Sequence, residues 1–191
     1  MSDPLGKRLN KVLEKITSEE FLSGSGIGNE IGFYIFDYAP EEELRVREHI
    51  RFLLGHIPKV KQDLRVKHIN LFDFALEYIQ SRNLLDKALQ MQRERGDEAL
   101  KKALAGPLHE NKLANVFTGV AQPLNHHLVL VSGVGSVWPI LRSHTLLNNL
   151  HPIMGSTPLV MFYPGRYDGQ SLRLFGKLKN DNYYRAFKLV P

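Results

Sequence analysis

The 191-residue chain contains no cysteine, which excludes disulfides, thiolate nucleophiles and cysteine zinc sites and fits a reducing cytoplasm. It has no apolar run approaching the roughly 20 residues that a membrane helix needs, so no membrane partner is expected. The N-terminus, MSDPLGKRLNKVLEKI, carries charge throughout, without the apolar run and small-residue cleavage site of a signal peptide. Acidic residues are scarce at the other end. From Asn125 to Pro191 only Asp168 and Asp181 oppose Arg142, Arg166, Arg173, Lys177, Lys179, Arg185 and Lys188, so the last third carries the whole net charge of +5. That excess is either a solvated surface or a face that attracts an anionic partner, nucleic acid or acidic protein.

Several strings that would announce chemistry are also missing. No G-x-x-x-x-G-K-[ST] occurs, so a functional P-loop is excluded. Gly24, Gly26 and Gly28 precede a strand rather than follow one, the wrong side for a dinucleotide loop. Ser132-Gly133-Val134-Gly135-Ser136 is not G-x-S-x-G, since the serines flank the glycines, and Trp138 stands where G-x-G-x-x-G needs its third glycine. What remains there is a strand-end turn into a helix from Ser136 to Leu150, with Ser136 as its cap and Pro139 in its first turn. The eight histidines form no metal signature: His126 and His127 point to opposite faces of a strand, and His144 and His151 lie two helical turns apart. No cofactor and no metal are expected.

What is present is a regular alternation. With 43% hydrophobic and 24% charged residues the chain can bury a core as one α/β domain over 1–191, an N-terminal helix and glycine-rich connector (1–28) preceding a sheet-containing core (29–191). The spacing of Leu5, Leu9, Val12, Leu13 and Ile16 predicts a helix over about Pro4 to Ile16. Strands are predicted at Ile31 to Asp37, Val66 to Phe72, His126 to Ser132 and Pro158 to Tyr163. Helices are predicted between them, the first stopped by Gly55-His56-Ile57-Pro58 and a later one breakable at Gly96. The alternating segments Ser171 to Leu178 and Tyr183 to Val190 read as an antiparallel hairpin. The expected fold is a three-layer, Rossmann-like sandwich with a mostly parallel sheet of about four strands plus that C-terminal hairpin.

Open parallel sheets place ligands beyond the carboxyl ends of their strands. Those ends supply Asp37 and Asp73, either paired metal carboxylates or helix caps, and a group of cations. Arg142, His144, Arg166 and Tyr167 either clamp an anion or carboxylate, or serve structurally by pinning Asp168 or a strand-end carbonyl. Arg173 and Arg185 extend the basic face, where Tyr163, Tyr167, Tyr183 and Tyr184 are either stacking platforms or core.

Three strings are more specific than any of this. Gly133 and Gly135 precede Arg142, His144, Leu146, Leu147 and Leu150 in an R-x-H-x-L-L-x-x-L helix. Phe162 to Phe175 reads F-Y-P-G-x-Y-D-G-x-x-L-x-L-F, and Tyr183 to Phe187 reads YYRAF. With IFDYAPEEE and INLFDFALEYI upstream, the chain resembles the BrxB family of bacteriophage exclusion (BREX) defence systems. The resemblance implies a component without an assigned enzymatic activity, an assembly or adaptor protein working with other BREX proteins, most plausibly the alkaline-phosphatase-like PglZ. It carries over no catalytic residue. A nucleic-acid-binding subunit using the basic C-terminal face, and a metal-dependent nuclease or nucleotide hydrolase using Asp37 and Asp73, stand as alternatives.

Overall fold

The computed structural model describes residues 3–23, 32–141, 143–179 and 186–191. Asp3 accepts a hydrogen bond from the Gly6 N–H at 2.9 Å and caps α1 (Pro4–Asn10), whose proline sits in the first turn. α2 (Val12–Thr17) and α3 (Glu19–Ser23) follow, so the helix expected over Pro4 to Ile16 is broken near Lys11 although its apolar face is kept. Leu5, Leu9, Val12 and Ile16 are all buried.

β1 (Phe33–Tyr38) leads through a short 3-10 turn into α4 (Glu43–Val60). The stop expected at Gly55 to Pro58 does not occur. Proline there removes one hydrogen bond near the helix end, and the burial of Leu53 and Ile57 outweighs that loss. β2 (Val66–Asn70) opens α5 (Leu71–Ser81), then α6 (Leu85–Ala105) and α7 (Glu110–Ala121). Within α6, Gly96 adopts φ +79°, a conformation outside the helical range, and kinks the helix where the sequence allowed a break. β3 (Leu128–Ser132) is followed by α8 (Val134–Val137) and α9 (Ser143–Met154). β4 (Leu159–Tyr167), β5 (Leu172–Leu174), β6 (Leu178–Lys179) and β7 (Phe187–Lys188) complete the chain.

The strands run in the order β2-β3-β4-β1-β7, every neighbouring pair parallel. Handedness then sorts the helices. The connection from β1 travels across the sheet to β2 and carries α4 over one face; the connections β2 to β3 and β3 to β4 step back the other way and carry α5 to α9 over the opposite face. Two cores follow. Phe36, Val160 and Phe162 meet α1, α2 and α4 on one side, while Phe33, Ile35, Val131 and Met161 meet Phe74, Phe117 and Leu150 on the other. The result is the expected three-layer sandwich, and β4 from Leu159 to Tyr163 is fully buried, as a strand covered on both faces should be.

The C-terminal pairing differs in detail from expectation. β5 and β6 form a small antiparallel hairpin hung on β4, all within residues 172–179. Phe187 and Lys188, expected to pair with residues 171–178, instead lie parallel beside Tyr34 and Ile35 of β1. Parallel addition buries Leu189 and Val190 against the α4 side of the sheet, which a free hairpin could not do. Residues 183–185 lie outside the described residues.

Candidate docking cleft at the carboxyl end of the sheet

The chain leaves β1 for one face of the sheet and leaves β3 for the other, so a crevice opens at their carboxyl ends, around β4. A cleft of about 490 Å³ occupies this place, bordered by Arg8, Tyr38, Glu41, Arg166, Phe175 and Lys177.

Its floor is an ion pair. Arg8 Nη2 donates to Asp37 Oδ1 at 2.8 Å, Nη1 donates to the Asp37 carbonyl at 2.7 Å, and Nε and Nη2 reach the Val190 carbonyl at 3.2 and 2.9 Å. The guanidinium also lies 4.7 Å from the Phe36 ring centroid. Asp37 Oδ2 accepts the Tyr167 N–H at 3.0 Å, with Lys188 Nζ 3.8 Å away. Asp37 is therefore neither a helix cap nor a spare metal ligand; it joins α1, β1, β4 and the C-terminus. Asp73 sits in the first turn of α5, but the cap there is Asn70, whose Oδ1 accepts the Phe72 N–H at 3.0 Å. Three inter-strand spacings separate β1 from β2, about 14 Å, too far for Asp37 and Asp73 to share one ion. Among the described residues no group of three or more potential metal ligands occurs.

One wall is Tyr38 to Glu41, the end of β1 and the turn that leads into α4. The Tyr38 hydroxyl donates to Glu43 Oε2 at 2.6 Å, Glu43 Oε1 accepts from Arg47 Nε at 2.7 Å, and Arg47 Nη2 donates to Ser136 Oγ at 2.9 Å. Burial, then the hydrogen bond to Glu43, pushes the Tyr38 phenol well above its ordinary range, so it stays protonated.

The other wall is the β4–β5–β6 sheet. A Cβ on Gly165 would collide with the Arg173 carbonyl, so glycine is what lets β5 lie close on β4. Arg166 and Arg173 are register partners and both are exposed. Asp168 does not pair with Arg166. It holds the turn, accepting from the Ser171 N–H and Oγ–H, each at 2.7 Å, and from the Gln170 N–H at 2.9 Å, and these bonds lower its carboxyl to about pKa 2. Tyr167 is a correction. As a candidate for meeting a partner it would have to be accessible, yet it is 1% exposed and its hydroxyl donates to the Ala186 and Gly169 carbonyls. Tyr163 is equally buried, so both tyrosines are core and not stacking platforms. Arg142, Arg185, Tyr183 and Tyr184 lie outside the described residues. His144 falls within α9, and its side chain is likewise outside them.

The serine-glycine turn also reads differently in three dimensions. Gly133, at φ +73°, begins α8, and a Cβ there would strike Asn70 Oδ1; a Cβ on Gly135 would press on Phe175 and Pro164 at 3.0 Å. The glycines make room for protein atoms. Ser136 lies inside α8 rather than capping a longer helix, because the helix ends at Val137 and resumes only at Ser143. The loop between them presents Trp138, 41% exposed, edge-on to Phe175 with ring centroids 5.9 Å apart.

Sequence reasoning missed two features. Arg8 reaches Asp37 and Val190 across 29 and 182 residues, and no local pattern signals that. His68 Nε2 lies 2.8 Å from Ser132 Oγ. Burial lowers the His68 pKa, with the Asp73 charge working in the opposite direction. Ser132 is 6% exposed and ends a strand, so this contact fastens β2 to β3. His127 Nδ1 similarly accepts the Arg65 N–H at 3.0 Å, a structural bond.

The family model for "BREX protein BrxB" matches residues 67–189, nearly two-thirds of the chain. The chain belongs to the BrxB family. A BREX protein BrxB from Bacillus cereus (strain H3081.97) is 43% identical over 190 residues, covering 97% of each chain. Another, from Escherichia coli O9:H4 (strain HS), is 41% identical over 192 residues, covering 100% of this chain and 94% of its own. No solved structure matches. The chain is thus a component of a BREX phage-defence system. Its BrxB-like string from Phe162 to Phe175 builds β4, the Asp168 turn and β5, which together form the cationic wall of the cleft.

Proposed function

We propose that the chain is a non-catalytic adaptor of a cytoplasmic BREX complex, which binds another BREX subunit, most plausibly the alkaline-phosphatase-like PglZ, through the carboxyl end of its sheet. The observation that carries this reading is the division of labour among charges at that end. Asp37, Glu43 and Asp168 are each held by internal partners; Glu41 faces the cleft, and Arg166, Lys177 and Trp138 are exposed around it. Catalysis needs uncommitted acids and bases, whereas recognition needs outward-facing cations and aromatics.

Co-expression with the neighbouring BREX proteins, followed by affinity capture at low salt, tests it. PglZ should co-purify with this chain in stoichiometric amount. A clean failure of every BREX protein to associate would remove the adaptor role.

A further inference from the structure

We infer that the surface formed by Arg166, Arg173, Lys177 and Trp138 binds a short acidic protein segment carrying an apolar anchor. This rests on the adaptor reading and specifies its partner chemistry. Arg166 and Arg173 are direct register partners on adjacent antiparallel strands, where like charges destabilise the pairing. Neither arginine has a carboxylate within ion-pair distance among the described residues; Asp168, held by its turn, feels the Arg173 charge only as a minor influence. The fold therefore retains a repulsive arrangement that an incoming carboxylate relieves. Arginine also offers a planar, two-pronged donor suited to that group.

Beside these cations lies an apolar contact of a kind common at protein interfaces. Phe175 borders the cleft with Arg166 and Lys177, and Trp138 stands edge-on to it, with Leu178, 38% exposed, next in the chain after Lys177. Exposed tryptophan and arginine are residue types enriched at interface hot spots. Glu41 borders the same cleft, and Glu42 and Glu43, paired with Arg45 and Arg47, follow it. A continuous polyanion such as a nucleic-acid backbone would run against these acids. A segment with a few carboxylates around one apolar side chain meets the arginines without doing so.

Trp138 is the chain's single tryptophan, so its emission reports on this surface alone. The full chain is titrated at low salt with a tryptophan-free synthetic peptide bearing glutamates around a Leu-Phe pair. Controls are its glutamine counterpart and a single-stranded oligodeoxynucleotide. The acidic peptide should change the emission saturably, and Arg166→Glu/Arg173→Glu should weaken it by about tenfold or more. Arg173→Gln, a milder variant, should weaken it less. Equal affinity for the glutamine peptide, or no weakening in the variants, would overturn the inference; tighter binding of the oligonucleotide would assign the face to nucleic acid instead. Capture of BREX proteins by the same variants separates the two claims. Undiminished capture sinks the surface and spares the adaptor role, whereas failure of capture by the unaltered chain sinks the adaptor role and leaves the peptide titration to decide the surface.

Discussion

Arg8 Nη2 lies 2.8 Å from Asp37 Oδ1, and the same guanidinium binds the carbonyls of Asp37 and Val190. One side chain from the first helix thus holds the end of the first strand to the last residues of the chain. Side-chain exposures of 24% and 12% make the pair partly buried, where removing one partner costs more than at a surface. We expect Asp37→Ala to cost about 3 kcal/mol, because it strands the Arg8 charge and the Tyr167 N–H together. Arg8→Met should cost about 2 kcal/mol, and the double variant less than the sum. Urea unfolding of the three proteins measures this, and strict additivity would show that the two groups do not act together.

A second expectation concerns pH. Among the described residues His49 Nε2 is buried without a hydrogen-bond partner, and burial lowers its pKa from 6.5, only partly offset by the Leu9 backbone. Burial lowers His68 in the same direction. For a histidine depressed in the folded state, the unfolded chain binds more protons as pH falls below 6.5, so stability is lost there. The melting temperature should fall between pH 7 and pH values below the folded-state pKa, and His49→Leu should flatten that fall. An unchanged slope in the variant would show that His49 does not titrate in that window.

These groups also show how far the sequence could be read. The alternation of strands and helices was legible because each strand is a short apolar run and each helix has a buried stripe. The three-layer fold followed from that order. Not legible were the relations that depend on distant pairing. Phe187 and Lys188 alternate as a hairpin strand would, yet the neighbour that lets Leu189 and Val190 bury is β1. Asp37 reads locally as a cap or ligand, and only strand order brings Arg8 and Tyr167 to it. At the cleft, Arg166 and Arg173 were identifiable as an excess of charge, but their direct opposition needed the register. Tyr167 failed as a contact residue because alternation along β4 turns it into the core while Arg166 points out.

A third expectation tests the close approach of β5 to β4. A methyl group at Gly165 has the Arg173 carbonyl in its way, and backbone cannot swing aside as a flexible side chain does. We expect Gly165→Ala to cost about 1–3 kcal/mol through forced displacement of β5. The displacement carries Phe175 away from Trp138, so the emission of Trp138 should shift in the folded variant. A variant as stable as the original with unchanged emission would mean that the hairpin accommodates the methyl group freely.

The last expectation follows the chain of polar contacts from β1 to α8. Glu43 accepts from both Tyr38 and Arg47, and Arg47 in turn holds Ser136, three hydrogen bonds from the strand that started the chain. Glu43→Gln keeps the shape but removes the charge that both donors use, at a cost of about 1–2 kcal/mol. Arg47, released, no longer anchors α8, and the loop bearing Trp138 directly after it should become more mobile. Acrylamide should then quench Trp138 faster in Glu43→Gln than in the unaltered chain. Tyr38→Phe, by contrast, leaves the Glu43–Arg47–Ser136 contacts in place and should leave quenching unchanged. It should also abolish the loss of stability expected above pH 10, because a phenol whose pKa is raised on folding stabilises the protein only while protonated. Equal quenching in both variants would mean that Trp138 is positioned by Phe175 alone and not by the route from Tyr38.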